Sequence, residues 1–533
     1  MKRKKHSISP TRVIQRCNKA KEKVDDDDDD EESHQFCPFF AIIPSHLVAQ
    51  ILLQLPIKSL LICKCVCKMW KTLISEPHFT KLHFEKTPVS LLIRPKDHRQ
   101  VFRTLHLLEC DPEKFEIGSD NRVKLQPFKL PLHDAESFRE KRNEIKNKTI
   151  CPLHAKRFVL DRGESSNRGD IGNKYNIVNS CNGLLCLTDL IIGNYLVICN
   201  PVTGEFIRLP EATKHPWLIP ITTVRKQRPQ AALGFLPKTK EYKVIKMLKR
   251  YVGHADDWVL DHVIVEINTL GTSLWRNVEV DSQVSILKLK DPTCVNGAIH
   301  WIGFEGPQMS ILCFCLESER FQPFPSPPHV FGNHNNTTRA NTNITMGELK
   351  GFLYICDSTF FSDVTMWVMK EYGNGESWTK LYNMDTLVSY LVSPDPLHYL
   401  SHYGLCFPIK HFEEGAAVLL YHPCNRFIYY DPEKYGFKVF QIHGSRSDFI
   451  EIIPHIPSLI SLKDVVKGDN IEVLNIHSWS AKFKLHEENE ALSLSRLNAF
   501  HYDIITTSSS SSSSSSDGVG EESGEESGEE HSS

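Results

Sequence analysis

Residues 43–83 read "IPSHLVAQILLQLPIKSLLICKCVCKMWKTLISEPHFTKLH", and their apolar pattern is helical. Pro44 suits the first turn of a helix, where its missing N–H is not needed. The apolar side chains that follow share one wide stripe of a helix, because they recur at helical spacing. They are Leu47, Val48, Ile51, Leu52 and Leu55. The pattern predicts an amphipathic helix that starts near Pro44.

Proline divides this helical stretch. Pro56 ends the first helix at Leu55, since the residue before a proline disfavours the helical region. A second helix is expected over "IKSLLICKCVC", and the spacing of Val66 and Trp70 continues the helical pattern as far as "SEPHF". We predict three short helices over residues 39–84. A module this small depends on a partner or on the rest of the chain to bury enough surface.

Three cysteines in this stretch, Cys63, Cys65 and Cys67, raise the question of a metal or redox site. On a continuous helix Cys63 and Cys67 share one face, and Cys65 points nearly the opposite way. Three thiolates so arranged cannot converge on one ion, and the sequence has no second cysteine pair with suitable zinc spacing. We expect packed thiols here, and neither a metal nor another cofactor in the protein.

From about residue 88 to 445 the pattern changes to short strands separated by turn residues. Each unit begins with an apolar strand that follows a glycine. The next strand ends at a polar turn, and an aromatic residue begins the strand after that turn. Asn182-Gly183 and Asn296-Gly297 open two of these units in the same way. This repetition predicts an array of antiparallel sheets, with a β-propeller favoured and a pair of sandwiches as the alternative. The aromatic residues that follow the polar turns are Phe206, Trp275, Phe321, Trp378 and Phe427.

The ends of the chain differ from both regions. Residues 1–35 carry a basic stretch and then an acidic run at 25–32, and residues 508–533 hold a serine tract followed by glutamates. We expect both tails to be disordered, because charge blocks and polar tracts cannot offset chain entropy. Residues 446–507 are expected to be an extension that closes the β domain. The predicted fold class is therefore α+β by segments: a three-helix module, an all-β propeller-like domain and two disordered tails.

Composition favours a soluble intracellular protein. The net charge of −3 argues against wholesale electrostatic binding to nucleic acid or to a membrane surface. No segment approaches the roughly 20 apolar residues of a membrane helix. The 16 cysteines are scattered through apolar runs, as expected for free thiols in a reducing compartment. The basic run from Lys2 to Lys5 is a candidate nuclear import signal, and nucleus and cytoplasm both stay open.

No pattern in the sequence indicates catalysis. "GNGES" at 373–377 lacks the Gly-Lys-Ser/Thr ending of a phosphate-binding loop, and neither G-x-S-x-G nor HExxH occurs. Trp301 and Trp378 could line a sugar site, although strand tryptophans belong to the core far more often. We expect no catalytic residue.

Residues 43–83 resemble an F-box, with Leu55-Pro56, Cys65-Val66-Cys67 and Trp70 among the matching positions. The strand-rich region resembles the F-box-associated interaction domain of plant F-box proteins, including F-box/kelch-repeat proteins. The segments that carry this resemblance are "SCNGLLCL", "NPVTGEFIRLP", "VNGAIHWIG", "ILCFCLESERF" and "WVMKEYGNGESWTKL". Cys315 stands where the family more often has aspartate.

The resemblance implies a substrate receptor of an SCF-type ubiquitin ligase. The F-box would bind a Skp-type adaptor, which connects to cullin and RING subunits, and the β domain would bind a target protein. Helices that pack into a groove of another protein rely on a few apolar anchors. The residues expected at the adaptor are Pro44, Leu47, Ile51, Leu55, Pro56, Leu60, Val66 and Trp70. For Trp70, packing inside the module is an equal alternative.

Two other functions stay open. The chain could bind the adaptor without turning over a target, as a decoy or scaffold. It could also be a glycan-binding or enzymatic propeller with an F-box attached, in which case Trp301 or Trp378 would contact the sugar.

Overall fold

A computed structural model describes most of the helical and strand regions of the chain. The described residues are 43–96, 104–109, 123–129, 175–189, 196–210, 224–226, 230–254, 257–281, 289–305, 308–328, 344–360, 363–384, 407–411, 418–422, 426–431, 436–444, 449–466, 471–476 and 492–496. The tails predicted at 1–35 and 508–533 lie outside these residues. The predicted class, helices followed by an all-β propeller, is confirmed.

From residue 43, where the described residues begin, the N-terminal helical module contains four helices: α1 (Ser45–Leu52), α2 (Ile57–Cys63), α3 (Lys68–Ser75) and α4 (Pro77–Lys86). Pro44 and Pro56 directly precede α1 and α2. The pattern predicted three short helices in this region. Pro77 begins a helix at "SEPHF", where the sequence suggested a stop. Another short helix among the described residues, α5 (Leu462–Val465), follows the last long strand.

The prediction of one continuous helix through the three cysteines was wrong. Helix α2 ends at Cys63, and residues 64–66 form a turn. Cys67 caps α3, since its Sγ accepts a hydrogen bond from the Trp70 N–H at 3.5 Å. Cys65 Sγ donates to the Leu61 carbonyl at 3.6 Å. Two of the thiols therefore stabilise the turn itself, which no proline or glycine marks in the sequence.

In the part of the chain that the structure describes, six antiparallel sheets follow the helices and form the blades of a propeller. From its inner to its outer strand, blade 1 has β26 (Phe449–His455), β1 (Ser90–Lys96), β2 (Thr104–Leu108) and β4 (Gln126–Lys129). In the same order, blade 2 has β5 (Tyr175–Cys181), β6 (Leu184–Asp189), β7 (Leu196–Cys199), β8 (Glu205–Arg208) and β27 (Leu474–Asn475). Blade 3 has β10 (Gln230–Leu236), β11 (Glu241–His254), β12 (Asp257–Thr269) and β13 (Arg276–Val278), with β9 (Val224–Lys226) beside β11.

The remaining blades repeat this plan. Blade 4 has β14 (Leu289–Val295), β15 (Ala298–Glu305), β16 (Gln308–Cys315) and β17 (Arg320–Phe324). Blade 5 has β18 (Ile344–Leu349), β19 (Phe352–Phe360), β20 (Asp363–Met369) and β21 (Trp378–Met384). Blade 6 has β22 (Phe407–His411), β23 (Val418–His422), β24 (Arg426–Asp431), β25 (Gly436–His443), β28 (Ser493–Arg496) and β3 (Val123–Lys124).

The repeated Asn-Gly pairs form the innermost turns of their blades. Asn182 and Gly183 have φ of 47° and 86°, and Asn296 and Gly297 have φ of 50° and 72°. Two successive positive φ values are typical of a type I′ hairpin turn, whose twist matches that of the strands. In blade 5, Lys350 and Gly351 form a turn of the same kind, with φ of 52° and 82°.

An apolar core lies between every pair of neighbouring blades, which closes the ring. Successive residues of one strand enter different cores, as period-two alternation requires: Val244 faces blade 2 and Ile245 faces blade 4. The six cores contain, in ring order, Leu92 with Leu187, Ile198 with Val244, Ile245 with Phe314, Ile311 with Ile355, Cys356 with Ile428, and Phe427 with Ile93.

The predicted tryptophans lie in these cores. Trp301 packs between blades 3 and 4, and Trp378 packs between blades 4 and 5 with its Nε1 donating to the Pro325 carbonyl at 3.1 Å. Both side chains are buried. A sugar site built on them is therefore wrong, because neither indole face is open to a ligand.

The closing strand comes from the far end of the chain. β26 pairs antiparallel with β1 along its whole length, from Phe449 opposite Lys96 to His455 opposite Ser90. Arg94 and Glu451 face each other in this register, and the Arg94 Nε donates to the Glu451 carboxylate at 2.8 Å. Residues 446–507, expected to close the β domain, also supply β27 to blade 2 and β28 to blade 6.

Replacing Glu451 with alanine should destabilise this closure, because Arg94 would stay buried without its carboxylate. Removing one partner of a buried ion pair costs about 3–5 kcal/mol, so we expect denaturant unfolding followed by tryptophan fluorescence to move to clearly lower denaturant. Glu317→Ala is the matched control, since it removes the partner of the exposed Lys238. Equal behaviour of the two variants would contradict the closing role of the Arg94–Glu451 pair.

Candidate functional site: an apolar face of the helical module

Helix α1 is apolar on two sides, and only one of them is covered. Val48 and Leu52 are buried in the core that the module shares with blades 1 and 2. Leu47 and Ile51 point away from that core, and Ile51 is 57% exposed. Burying a side chain of this size yields about 1.5–3 kcal/mol, so its exposure is unfavourable unless another surface covers it.

The end of α2 and the start of α3 carry further exposed apolar side chains. Val66, in the turn between them, is 61% exposed, and Ile62 and Met69 are exposed on either side of it. Helix α3 contacts both α1 and α2, so the three elements form one compact group. We call the set Leu47, Ile51, Ile62, Val66 and Met69 the apolar face.

The structure distributes the predicted adaptor residues over three environments. The exposed residues are Pro44, Leu47, Ile51, Pro56 and Val66. Two others, Leu55 and Trp70, are half-buried and pack against the module's core. Leu60 is 0% exposed in that core. Its assignment to the contact surface was wrong, because helical spacing does not tell which apolar stripe faces inward.

Ile62 and Met69 were missed by the sequence reasoning. They lie off the stripe that was followed through Leu60, Val66 and Trp70. The available signal was two large apolar residues close to lysines, with Met69 next to Lys68 and Ile62 two residues before Lys64.

A buried histidine fixes the far end of the module. The Nε2–H of His83 donates to the Leu55 carbonyl at 3.1 Å, and its Nδ1 lies 3.1 Å from the Thr87 hydroxyl. Helix α4 is thereby attached to the segment that joins α1 and α2. Burial lowers the pKa of His83, and the Leu55 carbonyl raises it in part. The imidazole is neutral at physiological pH.

The helices lie at one face of the propeller. Phe84 of α4 lies beside Gly183 in the β5–β6 turn, so the inner turns of the blades and the helices share a face. β11 ends and β12 begins at the opposite face, because strands alternate in direction. β11 has 14 residues and β12 has 13, which extends blade 3 on that side.

Neither a membrane helix nor a metal-binding cluster occurs in the described residues. No helix among them is long and apolar enough to cross a bilayer. In the same part of the chain, no three His, Cys, Asp or Glu side chains are grouped so that they could hold a metal ion.

Comparison with known families matches both parts of the chain. The model of the F-box domain matches residues 40–82, and that of the F-box associated beta propeller domain matches residues 137–466, more than half of the chain.

The relatives found include F-box proteins of Arabidopsis thaliana. F-box protein At3g07870 is 25% identical over 435 residues, which cover 77% of this chain and 90% of that protein. F-box/kelch-repeat protein At3g23880 is 22% identical over 356 residues, which cover 66% of this chain and 81% of that protein.

Acid should weaken the contribution of His83 to stability. Its pKa is about 6.5 in an unfolded chain and lower in the folded protein, so protonation favours unfolding. The contribution of neutral His83 is complete above that value and declines as the pH falls below it. We expect His83→Gln to be less stable than the parent at pH 7.5, and the difference to shrink between pH 6.5 and 5.

Thermal unfolding of both proteins at each pH measures this difference. His300 and His455, whose pKa values burial lowers to about 4 and about 3, are present in both proteins and cancel in the comparison. A stability difference that stays constant from pH 7.5 to 5 would contradict the buried neutral state of His83.

Proposed function

Since the chain belongs to the family of F-box proteins with an F-box associated β-propeller domain, we propose that it is a substrate receptor of an SCF-type ubiquitin ligase. In this function the F-box binds a Skp-type adaptor, through which cullin and RING subunits join. The propeller binds a target protein. The chain is the non-catalytic part of the complex.

The apolar face is the observation that carries the adaptor half of the proposal. Its five large side chains are exposed on a module whose other apolar side is fully packed. An amphipathic helix surface of this kind is suited to a groove on a helical partner. Ile51 and Val66 would be the principal anchors, since they lose the most exposed area on docking.

Leu60, Leu55 and Trp70 support this surface from within. Leu60 is part of the core beneath α1 and α2, and the other two pack against that core. Their substitution would act on docking through the shape of the module. The proposed direct contacts are therefore Pro44, Leu47, Ile51, Pro56, Ile62, Val66 and Met69.

A receptor of this type needs no catalytic residues of its own. Holding a lysine of the target near a ubiquitin thioester converts a bimolecular reaction into an effectively unimolecular one, which lowers the barrier by several kcal/mol. The target would bind at the propeller face opposite the helices, where β11 and β12 extend blade 3. Loops held by a rigid scaffold are the usual carriers of such specificity.

Ile51→Asp should abolish adaptor capture, because it places a charge on the apolar face at one of its most exposed side chains. Binding of a purified Skp-type adaptor by calorimetry or pull-down measures this. Leu274→Asp is the matched control, since Leu274 is 74% exposed but lies in the β12–β13 turn of the propeller. The control should bind like the parent protein. Undiminished binding by Ile51→Asp would exclude the apolar face as the docking surface.

Reconstitution separates a degradative receptor from a scaffold. With adaptor, cullin, RING protein, conjugating enzyme and ubiquitin present, we expect ubiquitin transfer to proteins that the propeller captures and to the chain itself. Candidate targets are proteins enriched by the Ile51→Asp variant in cells with the proteasome inhibited, since this variant keeps the module whose core is shared with blades 1 and 2. Adaptor binding without any ubiquitin transfer would favour the scaffold function.

A further inference from the structure

The segment that follows the closing strand is clamped onto blade 2. Asn200, at the end of β7, donates from its Nδ2 to the carbonyls of Ser458 and Ile460, each at 2.9 Å. The Glu205 carboxylate, at the start of β8, accepts from the Ser461 hydroxyl at 3.0 Å and from the Leu462 N–H at 2.7 Å. Asn200 is fully buried. The short β7–β8 turn therefore holds residues 458–462 at both ends.

The clamped segment also meets the helical module. A Cβ atom placed on Gly183 would lie 2.6 Å from the Ser458 Cβ and 3.1 Å from the Phe84 Cε2. The β5–β6 turn, the clamped segment and helix α4 thus converge at one point, and only a glycine leaves room for all three. Leu459 of the same segment is buried in the core that the helices share with blades 1 and 2.

A second point of attachment is electrostatic. Lys64, in the turn after α2, is half-buried, and burial lowers its pKa while the carboxylate of Glu205 raises it. The group that holds Ser461 and Leu462 is therefore also close to a cation of the helical module.

The third attachment is the short covalent link between helix α4 and strand β1. Only residues 87–89 separate α4 from β1. The Thr87 hydroxyl is 2.7 Å from the His83 carbonyl, which extends the order of α4 into this link.

From these three attachments we propose that residues 458–462 are a spacer that sets the orientation of the F-box on the propeller. Asn200, Gly183 and Glu205 are its positioning residues. The functional consequence rests on the ligase function proposed above: a fixed angle between the two domains places the target at a defined distance from the ubiquitin-transfer machinery. An error of orientation would slow transfer without weakening adaptor binding.

Distance measurements on the full chain test the orientation directly. Spin labels attached through p-acetylphenylalanine at Lys81 on α4 and at Leu274 on blade 3 avoid the native thiols, including the exposed Cys67. Double electron–electron resonance should give one narrow distance distribution for the parent chain. In Gly183→Ala, the added methyl group must displace Ser458 or Phe84, and the distribution should shift or broaden.

Gly351→Ala is the matched control. Gly351 has φ of 82°, close to the 86° of Gly183, and it occupies the same kind of turn, but a Cβ there meets nothing within 4 Å. It carries the same backbone strain without the contact, so its distance distribution should equal the parent's. Adding Ser458→Gly to Gly183→Ala removes the closest contact and should restore the narrow distribution. A distribution unchanged by Gly183→Ala would overturn the spacer.

Self-ubiquitination of the reconstituted ligase tests the consequence. We expect Gly183→Ala to bind the adaptor like the parent chain but to be modified several-fold more slowly, with recovery in the double variant. Unchanged transfer rates despite an altered distance distribution would overturn the link to ubiquitin transfer. Failure of the parent chain to bind the adaptor would overturn the ligase function, while the distance measurement would still decide the orientation.

Discussion

Each sheet of this protein is apolar on both faces, and that constraint organises the rest of the structure. A strand such as β11 sends Val244 into one core and Ile245 into another. Such a sheet needs a neighbour on each side, and a ring is the arrangement that gives every sheet two neighbours. Blade 1 is completed by the C-terminal β26, so the ring closes with strands from opposite ends of the β domain. The helical module is stabilised in the same way, because α1 and α2 bury their inner apolar side chains against blades 1 and 2.

Much of this architecture could be predicted because local patterns carry it. The turns at Asn182-Gly183 and Asn296-Gly297 require positive φ, which explains the repeated dipeptide. Phe206 and Phe321 recur because the fourth strands of blades 2 and 4 place an aromatic in an inter-blade core. The pairing of β26 with β1 depends on a contact between distant segments, and no local pattern specifies it.

The candidate site was predicted less completely, for a geometrical reason. Helix α1 has two apolar stripes, so periodicity identified Leu47, Ile51, Val48 and Leu52 together and could not assign them to opposite environments. Leu60 was predicted at the exposed surface for the same reason, although it lies in the core. The break between α2 and α3 was missed because Cys67 caps the new helix through its sulfur, a function that sequence patterns assign mainly to serine, threonine, aspartate and asparagine.

The closing strand also affects how the chain is made. β26 is synthesised roughly 360 residues after β1, so at 5–20 residues per second blade 1 waits roughly 20–70 s for its inner strand. During that time β1 presents an unpaired edge, and the apolar core beneath α1 and α2 lacks Ile453 and Leu459. The helical module therefore leaves the ribosome long before its own support is complete. Until β26 emerges, the unpaired edge of β1 can pair with strands of other nascent chains, so the chain is prone to aggregate at this stage.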